Sequence, residues 1–114
     1  MSSNHNIHNS KVHVTQHAYV RGKQRCGWNS TALERMSKKA FESGLKRSNT
    51  KGLLKKYLDD VWAEYKNGNN LRLYGEMLFV FSNHSLVTIW NLPVKFRSLA
   101  KVFRAKNRTA KFSA

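Results

Sequence analysis

His17, Arg21 and Arg25 fall four residues apart, so an α-helix through them would carry all three on one face. An imidazole beside two guanidiniums suits phosphate chemistry. Arginine grips phosphate oxygens in a bidentate fork and offsets charge that develops in a transition state. Histidine takes or gives a proton near neutral pH. The same spacing also describes a solvated basic helix face. A second set lies downstream: if LRLYG and SLVTIWN are strands, one side carries Arg72 and Tyr74, and Thr88 and Trp90, opposite an aliphatic side. Cations, hydroxyls and aromatics on a sheet face are what a single-stranded RNA platform uses, stacking for bases and charge for backbone. Strands also favour β-branched and aromatic residues for packing alone.

The elements that must position these residues follow from caps and periodicity. VHVT reads as a short strand or extended entry, and Thr15 as the N-cap of a helix from Gln16 to about Cys26, ended by Gly27. Thr31 and Glu34 form the pattern of a capping box for a second helix that runs to about Ser43, with Gly44 in the C′ position. A third helix is expected from about Lys51 to Tyr65, with Leu54, Leu58, Val61, Trp62 and Tyr65 as its core stripe, stopped by Asn67-Gly68-Asn69-Asn70. The period then changes to two. LRLYG, EMLFVFS and SLVTIWN, joined by tight turns at Gly75-Glu76 and Asn83-His84, predict a three-stranded antiparallel meander closed by Pro93. The expected fold is α+β, with N-terminal helices on one face of a small antiparallel meander and the other face or an edge left for a ligand. Residues 12–97 are read as one domain, after a disordered polar leader at 1–11 and before a basic C-terminal tail or helix at 98–114.

Charge narrows the partner. The 114 residues hold 21 Lys+Arg against 6 Asp+Glu, a formal net charge of +15. Self-repulsion of that size is relieved by a polyanion, and nucleic acid, RNA favoured, or a ribonucleoprotein is the expected partner. Residues 1–33 contain no acid, and neither does the stretch from Val94 to the end. There Lys95, Arg97, Lys101 and Arg104 interleave with Phe96, Leu99, Val102 and Phe103. That segment fits an RNA- or ribosome-binding arm, a membrane-surface helix, or a core-capping helix with a basic outer face. No apolar run approaches the roughly 18–20 residues of a membrane span, and the start lacks the apolar region of a secretory signal. With Cys26 the single cysteine, no intramolecular disulfide or cysteine zinc site can form, and a reduced, cytoplasmic location is expected. Histidines at 5, 8, 13 and 17 lack carboxylates at ligand spacing, so no metal and no other cofactor is expected. Cys26 reads as a small packed residue rather than a nucleophile.

The order of these pieces resembles a known group. VTQHAYVRGKQRCGW is similar to the His-Ala-x-x-Arg-x-x-x-Arg entry helix of small bacterial and phage proteins in the barnase–EndoU–colicin–RelE group of metal-independent ribonuclease folds. NNLRLYGEMLFVFSNHSLVTIWNLP resembles their arginine strand, apolar strand and Leu-Val-Thr-Val-x-x-Leu-Pro ending. The resemblance implies an endoribonuclease of toxin or phage type, in which the 2′-OH attacks the adjacent phosphate and leaves a 2′,3′-cyclic phosphate without a metal. It implies His17 as general base or acid, Arg21 and Arg72 as phosphate holders, Thr88 as an orienting hydroxyl, and Tyr74 as a stacking or hydrogen-bonding group. It also implies a protein antitoxin or a host target as partner. Independently of it, Arg25, Tyr74, Trp90, Lys95, Arg97, Lys101 and Arg104 are the residues expected to bind nucleic acid. A second proton-transfer group would require His84 to reach the site. Without catalysis, the same charge describes a basic protein that binds RNA, DNA or a nucleoprotein, such as a phage inhibitor of a host nucleic-acid machine.

Overall fold

A computed structural model describes residues 11–65 and 70–113, except for the side chains of 108–113. The leader, with His5 and His8, and Asn67, Gly68 and Asn69 after the third helix lie outside the described residues, apart from Lys11. The chain orders as β1 (His13–Val14), α1 (Gln16–Cys26), α2 (Ser30–Ser43), β2 (Leu45–Lys46), a 3-10 turn (Arg47–Asn49), α3 (Gly52–Glu64), β3 (Asn70–Tyr74), β4 (Met77–Ser82), β5 (Ser85–Asn91) and α4 (Val94–Ser113). This is an α+β fold of four helices on a five-stranded mixed sheet, strand order β1-β5-β4-β3-β2.

The meander forms as the alternation requires, with two-residue turns that take positive φ at Gly75 and Asn83. Two additions widen it. β1 runs parallel to β5 through His13↔Ser85 and Val14↔Leu86, and β2 runs antiparallel to β3. Thr15 joins sheet to helix. Its Oγ1 accepts from the Ala18 amide at 3.2 Å, capping α1, and donates to the Leu86 carbonyl at 2.9 Å. Gly27 ends α1 in the left-handed conformation, φ 71°, with its N–H on Lys23 O.

Both faces of the sheet are covered, which corrects the expectation of one open face. β4 carries the explanation: Leu78, Phe79, Val80 and Phe81 are all buried, as in a strand packed on two sides. Phe79 and Phe81 join Ala18 of α1, Leu33 and Ala40 of α2, and Ile89 in one core. Leu78 and Val80 join Leu54 and Leu58 of α3, Phe96 and Ala100 of α4, and Leu71 and Leu73 in the other. Helices therefore sandwich the sheet, two per face.

Four local expectations change. Asn29, not a Thr31–Glu34 box, caps α2, because its Oδ1 reaches the Ala32 amide at 2.8 Å; Glu34 instead accepts the Tyr19 hydroxyl proton. That bond raises the Tyr19 pKa. Gly44 ends α2 with φ −65°, not in the left-handed form. What requires glycine there is space, since an added Cβ would stand 2.4 Å from Ala40 O and 2.9 Å from Arg72 Cβ. Trp62 leaves the α3 stripe: it is 41% exposed and lies beneath the Arg47 guanidinium at 4.4 Å. The C-terminal helix begins at Val94, and its Phe96 and Ala100 belong to the core, so it runs unbroken through 97–98.

Candidate nucleic-acid interface

α1 lies over β5 with Ala18 and Gly22 facing inward, which leaves His17 and Lys23 exposed and Arg21 half-buried. Arg21 Nε donates to His17 Nε2 at 3.4 Å, a long bond that uses the imidazole lone pair, and Arg21 NH1 donates to Gln24 Oε1 at 3.1 Å. His17 and Arg21 thus lie on one helix face, as their spacing requires. Arg25, one turn on, leaves that row. It reaches around the β5 edge, donates through NH1 to Ile89 O at 2.7 Å, and lies 3.6 Å above the centre of the Trp90 ring. Burial, and after it the neighbouring Arg21, lower the Arg25 pKa. Cys26 beside it is half-buried and its thiol pKa is raised by that burial, which suits packing and not nucleophilic attack.

The strand residues do not share a face, and register explains why. Arg72 pairs with Phe79, and Phe79 with Ile89, so Arg72 stands on the α1/α2 side. Tyr74 follows it, packed against that same core. Thr88 pairs with Val80 and Trp90 with Leu78, which puts both on the α3/α4 side. A bulge contributes: Val80 pairs with Thr88 but Phe81 with Leu86, so Val87 is an extra residue and Leu86 turns to the face opposite Thr88. Alternation read through SLVTIWN misses that switch.

Arg72 and Thr88 are also structurally committed. Arg72 donates to the Phe41 carbonyl at the end of α2 and to Asn70 Oδ1, and lies over the Phe41 ring, with its pKa lowered by burial. Thr88 is 2% exposed, and its Oγ1 has no hydrogen-bond partner among the described residues. His84, at the β4–β5 turn, packs against Phe41 with ring centroids 5.1 Å apart, while the described hydrogen bond of the His17 ring is to Arg21. Each histidine thus has its own neighbour.

α4 has the packing of a core-capping helix with a basic outer face. Arg97 donates to Leu92 O at 3.1 Å and pairs with Glu76 at 3.5 Å, and Arg104 donates to Gly75 O at 3.2 Å. These two arginines fasten the helix to the strand ends. Lys95 and Lys101 remain exposed.

Beside Trp90 opens a cavity of about 330 Å³ lined by Tyr57, Asp60, Val61, Glu64, Tyr65 and Trp90. Sequence periodicity had assigned Tyr65 to the core and passed over the acids. Their signal was present, however: Asp60 and Glu64 are like charges at i, i+4 in the last turns of a helix, where the macrodipole disfavours them. Among the described residues no group of three potential metal ligands forms, and no helix is long and apolar enough to cross a membrane. Comparison with protein-family models, with curated proteins and with solved structures gave no match to this chain.

Proposed function

We propose that this protein binds nucleic acid through its cationic helical surface, with single-stranded RNA or a ribonucleoprotein as the expected target. The observation that carries the reading is that the cations of α1 have no acidic partner among the described residues. Among the described residues no ion pair involves this helix, although His17, Arg21 and Lys23 lie along it. The described ion pairs instead occupy Asp59, Asp60 and Glu76 with cations of the 3-10 turn, α3 and α4. In a chain of net charge +15, cations without acidic partners are free to displace counterions from a phosphate backbone. Binding measured against salt tests this. The affinity for a single-stranded RNA is expected to fall steeply with salt, and Arg21→Gln to make the log–log slope shallower by about one. Affinity that ignores salt would defeat the reading.

The endoribonuclease reading has one supporting observation, the 3.4 Å contact between Arg21 and His17, a cation beside a proton acceptor. Against it stands the division of Arg72 and Thr88 between opposite sheet faces. RNA incubated in EDTA distinguishes the two. Cyclic-phosphate ends that His17→Ala abolishes would establish cleavage, with His17 and Arg21 as its centre. Intact RNA with salt-sensitive binding in both proteins leaves binding as the function.

A further inference from the structure

The cavity beside Trp90 differs from the rest of the molecule in charge and in chemistry. Two of the chain's six acids, Asp60 and Glu64, line it together with three aromatic rings. Among the described residues Asp60 has one ion pair, an exposed contact to Lys56 at 3.5 Å, and a pair so placed contributes little. Among the described residues Glu64 has no ion pair. Tyr65 and Trp90 form an open wedge, with ring centroids 6.1 Å apart and planes at 59°, and Tyr57 is held behind them by Phe96 at 4.8 Å. Arg25, fixed on Ile89 O, covers Trp90 with its guanidinium, so the ring is anchored before anything binds.

Such a slot selects by exclusion. Its carboxylates repel phosphate, which the surrounding surface attracts, so a strand lying here would turn its bases and not its backbone inward. The volume, about 330 Å³, is near the lower end of the roughly 300–1,000 Å³ of small-molecule sites, which suits one planar group. Ionised carboxylates only accept hydrogen bonds, so the edge they meet must donate. Guanine offers two adjacent donors, N1–H and the N2 amino group. Adenine and cytosine offer one amino group each, and uracil a single imide N–H between two carbonyls that a carboxylate repels.

We propose that the slot formed by Tyr57, Tyr65 and Trp90 with Asp60 and Glu64 seats one unpaired base of a bound single strand, and that it prefers guanine. The inference rests on the nucleic-acid reading above and adds base selection to it. The rings supply stacking and the carboxylates supply choice.

The test uses the full chain and four labelled RNA pentamers, UUXUU with X as G, A, C or U, at one fixed salt concentration. Equal phosphate number cancels the backbone contribution. The guanine pentamer is expected to bind about tenfold tighter than the all-uracil one, the discrimination a good bidentate base contact gives. Asp60→Asn and Glu64→Gln, both at exposed positions, are expected to retain the fold. At least one should lower the affinity for the guanine pentamer and collapse the preference below about twofold. Equal binding of the four pentamers by wild type overturns the slot and leaves the nucleic-acid reading standing. A gain shared equally by adenine and guanine reflects stacking alone and overturns the guanine assignment. Preference that survives both substitutions overturns the role of the carboxylates. Failure of every pentamer to bind overturns the slot and the reading beneath it.

Discussion

The guanidinium of Arg25 lies 3.6 Å above the Trp90 ring while its NH1 donates to Ile89 O at 2.7 Å, so one α1 side chain holds β5 by its backbone and by a ring. The spacing of His17, Arg21 and Arg25 offered Arg25 to a ligand; the fold uses it first for itself. Arg25→Ala is expected to remove both the desolvated cation–π contact and a charged hydrogen bond, and to lower stability by about 2 kcal/mol. Urea unfolding followed by tryptophan fluorescence measures this. An unchanged midpoint would show that the clasp contributes nothing.

Thr88 separates the catalytic from the structural reading of the last strand. Its hydroxyl is buried without a described partner, and valine has nearly its shape. Thr88→Val is therefore expected to raise stability by about 1 kcal/mol, because the desolvation cost of an unpaired hydroxyl disappears. A loss of stability in thermal unfolding would mean that the hydroxyl has a partner in solution.

Much of the fold was legible from residue order because its signals are local. Thr15 caps and Gly27 ends α1 where the sequence places them, and the turns at Gly75 and Asn83 need the positive φ those residues tolerate. What was not legible depends on pairing between distant segments. β2 has two residues, too few to show alternation, and exists as a strand only because β3 offers it hydrogen bonds; VHVT reads as a short strand, but its parallel place beside β5 does not show in the sequence. The bulge at Val87 has no local marker, yet it decides which face Leu86 takes. For the candidate site this meant that the α1 row of His17 and Arg21 was readable, whereas the grouping of Arg72, Tyr74, Thr88 and Trp90 was not. Tyr65 lies inside an apolar stripe whose period is that of any core helix, and Tyr57 lies outside the stripe as read.

Gly44 offers a test of packing free of backbone strain. With φ at −65°, alanine fits the conformation, but its Cβ would meet Ala40 O and Arg72 Cβ well inside contact distance. Gly44→Ala is expected to cost about 1–3 kcal/mol, the usual range for overpacking. If the Tm stays at the wild-type value, α2 and β3 are not in the close contact described.

Acid sensitivity is expected at Asp59, which receives Lys55 Nζ at 3.0 Å and Arg47 NH1 at 2.7 Å. Those hydrogen bonds, Lys55 first, hold its pKa below the ordinary aspartate value. A depressed folded-state pKa means that the stabilisation is present above the unfolded value, about 3.9, and is lost as pH falls through the folded one. Asp59→Asn should therefore unfold earlier than wild type in urea at pH 6, with the difference shrinking toward pH 3. A gap that stays constant with pH would remove ionisation as its cause.

The parallel pairing of β1 with β5 also imposes an order of events. Thr15 bonds Leu86 across 71 positions of sequence, so the first strand has no ladder partner until β5 exists, although Thr15 caps α1 locally through the Ala18 amide. α1 precedes β5 in the chain, and Arg25 gains its partners Ile89 and Trp90 only when that strand is in place. Contacts of such span slow folding, and an incomplete chain lacking β5 would carry α1 without its strand partner. The surface that shapes the basic face of α1 is therefore assembled from both ends of the described chain.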